Sequence, residues 1–136
     1  MDQNPLVNEH RDTGEAIARS CAAAGIDVTA AFWVKPSEDG QWYLYLASRD
    51  VEDRGLGDAF RRVLAAIRQI DPPPQIDTLG NLKLIGATNP ITTDILSIQS
   101  RYPGSLSTWY RGRQLGNMAI DEAYLYRPRQ VSTGPA

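Results

Sequence analysis

A chain of 136 residues, 42% hydrophobic and 22% charged, is long enough for one domain with its own core and too apolar to be wholly disordered. Fourteen basic side chains against sixteen acidic ones leave a net charge of −2, which announces neither a nucleic-acid binder nor a membrane-surface protein. One cysteine excludes an internal disulfide, and one histidine excludes every motif that needs two.

The opening MDQNPLVNEHRDTGE is polar and acidic and lacks the basic and apolar regions of a secretory signal. The longest uncharged stretch, ten residues between Lys83 and Asp94, contains Gly86 and Pro90 and is too short to span a bilayer. With a lone Cys21, these features lead us to expect a cytoplasmic protein without membrane contact.

In chain order, residues 1–8 read as a polar tail. A helix follows from about Asp12 to Ala24, with Ile17, Cys21 and Ala24 on one face and Gly25 as its stop. Its alanines make it thin, so it can approach a sheet closely. Val28–Lys35 and Gln41–Ser48 alternate as strands around Pro-Ser-Glu-Asp-Gly and read as a hairpin. Pairing Lys35 with Gln41 sets Val34 opposite Trp42, Phe32 opposite Leu44 and Ala30 opposite Leu46. That register puts Trp33, Tyr43 and Tyr45 together on the second face, with Thr29 and Lys35.

Asp50 to Asp58 reads as an acidic connection. A second helix from about Asp58 to Ile70 carries the stripe Phe60, Val63, Leu64 and Ile67, and three prolines from Pro72 end it. Leu82–Ile85 is a short strand, and Asn89-Pro90 caps and opens a third helix through Ile91, Ile95, Ile98 and Tyr102. Leu106–Tyr110 and Ala119–Arg127 form a last hairpin, turning at Arg111-Gly112, with Gly116-Asn117 as a bulge or second turn. Residues 129–136 read as a second tail.

The expected fold is therefore α/β (α+β): a single-domain layered sandwich over residues 9–128, in the order α-β-β-α-β-α-β-β. It has two hairpins, three helices and a mixed sheet of about five strands, with both β-α-β connections making parallel neighbours.

Reactive chemistry is sparse. His10 falls in the N-terminal tail and Cys21 in a packed helix, so neither fits a nucleophilic triad. A zinc site lacks ligands. Asp50, Glu52, Asp53 and Asp58 could hold Mg²⁺ or Mn²⁺ only if they converge, giving a metal-dependent, nuclease-like alternative with Lys35. Gly55-Leu56-Gly57 falls short of a dinucleotide or phosphate loop, and Gly86 to Pro90 leads a strand into a helix as in most α/β proteins.

The positive feature is aromatic and basic. Residues 101–136 carry five arginines against two acids, a net +3, while the first hundred residues carry −5. Tyrosine, tryptophan and arginine are the residues of protein interfaces and of single-strand nucleic-acid platforms. The sequence thus suggests a non-catalytic interaction or accessory subunit without cofactor. Its expected anchors are Trp33, Tyr43, Tyr45, Trp109, Arg111, Arg113 and Arg127, and its expected partner is a protein with an acidic patch or a second copy of itself. A single-stranded nucleic-acid module is a further alternative.

Overall fold

The computed structural model describes residues 8–38, 40–72, 74, 81–101, 108–111 and 114–126. The predicted tails lie outside these residues, apart from Asn8, which already belongs to the first helix. In order the elements are α1 (Asn8–Ala23), β1 (Ala30–Pro36), β2 (Tyr43–Ser48), α2 (Asp50–Arg54), α3 (Leu56–Ile67), β3 (Leu82–Gly86), α4 (Pro90–Arg101), β4 (Thr108–Tyr110), β5 (Gln114–Leu115) and β6 (Met118–Leu125). The architecture is mixed α and β, as expected, with one more strand than the sequence suggested and with the acidic connection coiled into α2.

The sheet runs β3-β2-β1-β6-β4, with β5 pairing β6 separately. Among the described strands, only β2 and β3 pair in parallel, joined through α2 and α3. The second expected crossover does not form. After β3 the chain passes along α4 to the opposite edge, where β4 pairs antiparallel with β6. The burial of α4 explains this: Ile95 and Ile98 pack on Phe32, Val34, Leu115 and Leu125, so the helix crosses β1 and β6 instead of returning beside β3. Asn89 caps it as anticipated, its side-chain oxygen accepting from the Ile91 N–H at 2.8 Å.

The first hairpin is shifted by one residue from the expected pairing. Val34 faces Tyr43, Trp33 faces Leu44, Phe32 faces Tyr45 and Ala31 faces Leu46. The turn closes with the Gly40 N–H donating to the Pro36 carbonyl at 3.0 Å. Because side chains alternate, the shift moves β2 relative to both faces of β1. Strand β1 is buried along nearly its whole length, so its own pattern offers no polar face to fix the phase.

Helices pack on both faces of the sheet. On the front, α1 and α3 pack Ile17, Cys21, Val63 and Ile67 against Ala31, Trp33, Leu44 and Leu46. On the back, α4 and β5 cover Phe32, Val34, Ile120 and Leu125. The thin helix approaches closely at Gly14, where an added Cβ would lie 2.7 Å from Trp33 Nε1 and collide with the Tyr126 hydroxyl. No helix among the described residues is long and apolar enough to cross a membrane.

Candidate functional site

The predicted aromatic face divides between the two sides of the sheet. Trp33 points to the front and is only 2% exposed, so it is a core residue and not a surface anchor. Its Nε1–H donates to the Tyr126 hydroxyl at 2.9 Å, and that hydroxyl donates to the Arg11 carbonyl at 2.6 Å. Burial raises the Tyr126 phenol well above its ordinary range, against the opposing effect of the Trp33 bond. Tyr43 and Tyr45 lie on the back, opposite Val34 and Phe32.

On the front, the rings continue outward from this buried pair. Tyr126 meets Tyr124 edge-on at 5.3 Å, Tyr124 meets Trp109 at 4.9 Å, and Trp109 meets Trp42 at 6.3 Å. Cross-strand pairing builds the row, since Trp33 faces Tyr124 and Tyr124 faces Trp109 across adjacent strands. The Arg11 guanidinium sits 5.4 Å from the Tyr124 ring and 5.8 Å from Trp109, within cation–π range, and donates to the Asn8 side chain. Trp109 is 40% exposed and forms the crest of the row. His10 belongs to α1 and not to a tail, with its ring 5.7 Å from Trp33.

Arg111 follows β4 and is exposed near this crest. Arg113 and Arg127 lie outside the described residues. Arg11 is absent from the expected anchors because the expected helix begins at Asp12, one residue after it, whereas α1 begins at Asn8. The cue was available: Asn8, Arg11 and Glu15 have the spacing of one helical face.

On the back, Tyr43 and Tyr45 floor a cleft of about 660 Å³, walled by Pro36, Ser37 and Glu38 on one side and Asn117, Met118 and Ala119 on another. Tyr45 stacks on Phe32 at 5.4 Å and 9°, and its hydroxyl donates to Met118 Sδ at 3.7 Å. The Lys83 ammonium stands 5.2 Å from the Tyr43 ring centroid. The β5–β6 turn that walls the cleft has a positive φ of 57° at Gly116 alone, the pattern of a two-residue hairpin with glycine first.

The acidic run does not gather. Asp50 accepts from Arg62 at 2.8 Å, joining α2 to α3, and Asp58 pairs with Arg61 at 3.4 Å. Glu52 accepts from the Ala87 and Thr88 N–H groups at 3.1 Å and from the Thr88 hydroxyl at 2.7 Å. These bonds, led by those from Thr88, hold its carboxyl below the ordinary range. An internal carboxylate therefore occupies the strand-to-helix loop where an external anion would bind. Gly86 permits this, because a Cβ there would fall 2.9 Å from Glu52 Cδ.

Lys35 stands near the Tyr43 end of the hairpin, whereas the acids follow Ser48 at the other end. Five residues of strand, roughly 17 Å, separate the two. Among the described residues, no three His, Cys, Asp or Glu side chains converge to hold a metal. Cys21 is buried and its thiol is pushed up to about 12 by desolvation, which keeps it protonated and unreactive at neutral pH.

No family model matches the chain, and no curated protein or solved structure matches it.

Proposed function

We propose that the protein works by binding, as a non-catalytic accessory subunit. Its contact with another protein is centred on Trp109, with Tyr124 and Arg11 beside it. The row of rings from Trp33 to Trp109 carries this reading. A tryptophan whose inner edge is fixed by Tyr124 and Trp42 loses little side-chain freedom on binding, and its exposed surface is apolar. Trp, Tyr and Arg held together in this way make up the usual energetic centre of an interface.

The partner class follows from charge. The Arg11 guanidinium lies over the Trp109 ring and Arg111 is exposed two residues after it, which favours an acidic complementary surface. The metal-dependent alternative gains no support from acids that face separate arginines and a loop.

Affinity capture from the native host tests the proposal, using wild type, Trp109→Ala, Arg11→Ala and the remote control Arg68→Ala. One acidic protein should co-purify with wild type and Arg68→Ala. Its affinity should fall about 30-fold with Trp109→Ala, as for an interface hot spot. Equal recovery with all four baits, each shown to be folded by circular dichroism, would refute the reading.

A further inference from the structure

The back-face cleft plays no part in the Trp109 contact, and its lining has a chemistry of its own. We infer that it binds a small flat zwitterion: an aromatic ring with a carboxylate at one end and an amine at the other. The volume of about 660 Å³ suits a small molecule. The floor is aromatic, and both tyrosines are positioned by other contacts: Tyr45 by its stack on Phe32 and its bond to Met118, Tyr43 by the ammonium above its ring. A floor already held in place loses little entropy when a second ring lies on it.

Among the described residues of the lining, two are charged, and they set the polarity of the ligand. Lys83 lies on β3, and Glu38 follows β1 in the hairpin loop. Strand β2, which bears both tyrosines, runs between them. Two inter-strand spacings, about 10 Å, separate the strands that carry the charges. One flank therefore attracts an anion and the other a cation, across an aromatic floor. A dianion would meet Glu38 unfavourably, and a dication would meet Lys83.

The test uses 4-(aminomethyl)benzoate as probe and terephthalate, of similar shape but doubly anionic, as comparator. Both are titrated into the full chain and followed by amide NMR shifts. Saturable shifts are expected at Tyr45, Asn117 and Met118, with the zwitterion binding about tenfold tighter than the dianion, the size of one charge-assisted contact. Lys83→Met should weaken both probes, and Glu38→Gln should erase the preference between them. Both substituted side chains are exposed, so the fold should persist. Shifts that do not saturate at millimolar probe, shifts confined to other residues, or equal affinity for the two probes would overturn the inference. None of these outcomes bears on the Trp109 contact, which is read by capture.

Discussion

The two faces of this sheet are closed in different ways, and the contrast accounts for where each surface feature lies. On the front, the small residues of α1 let helix and sheet approach until Gly14 touches Trp33 and Tyr126. The aromatic side chains there continue from strand to strand as the cross-strand row, which reaches the sheet edge as the Trp109 crest. On the back, α4 contributes the larger Ile95 and Ile98 over β1 and β6, and β5 adds Leu115. That cover stops short of Tyr43 and Tyr45, whose phenol groups tolerate water where Phe or Leu would not. The closely packed front thus ends in an aromatic ridge at the sheet edge, and the partly covered back leaves a cleft.

The contrast can be broken most strongly from the back. Phe32→Ala removes a fully buried ring that holds both the α4 core and the Tyr45 stack, and should cost about 3–5 kcal/mol in urea denaturation. A loss under about 1 kcal/mol would mean that the back face is not packed as described. Next in size is Gly14→Ala on the front. The added methyl must displace the Tyr126 hydroxyl, so a loss of about 1–3 kcal/mol is expected despite alanine's better helix propensity. Gly57→Ala in α3 is its counterpart. An added Cβ there meets nothing within 4 Å, so the same substitution should stabilise by about 0.5–1 kcal/mol. Matching signs at the two glycines would show that α1 does not approach the sheet closely.

Tyr126→Phe sharpens the comparison further. It removes the acceptor of the Trp33 indole and the donor to the Arg11 carbonyl, for an expected loss of about 1–2 kcal/mol. The smallest effect is expected from Glu52→Gln and is read through pH. The folded-state pKa of Glu52 is lowered from 4.5, so its contribution is complete above that value. It is then lost as pH falls through the lowered folded-state value. The melting temperatures of wild type and Glu52→Gln should therefore differ at pH 7 and converge in acid. A constant difference across that range would deny the carboxylate its role in the loop.

Much of the fold could be read from the chain because local chemistry determined it. Asn89-Pro90 capped α4 as expected, and Val63 and Ile67 kept their stripe on α3. The alternation of Tyr43, Leu44, Tyr45 and Leu46 also survived intact. The candidate sites were less legible. The place of Lys83 depends on the parallel pairing of β3 with β2, which sets it beside the tyrosines. Arg11 gained its meaning from rings more than ninety residues away in the chain.

The sequence by itself determined the class of fold, the sparse set of reactive groups and the residue types available for contact. These depend on composition and on periods of two and 3.6, which act over a few neighbours. Tertiary structure decided the phase of the first hairpin, the path of α4 to the far edge and the side of the sheet each aromatic faces. Strand β1 is apolar on both sides, so either register would bury it. Only the simultaneous fit of helices on both faces selects one, and with it Trp33 is buried and Tyr43 and Tyr45 line an open cleft.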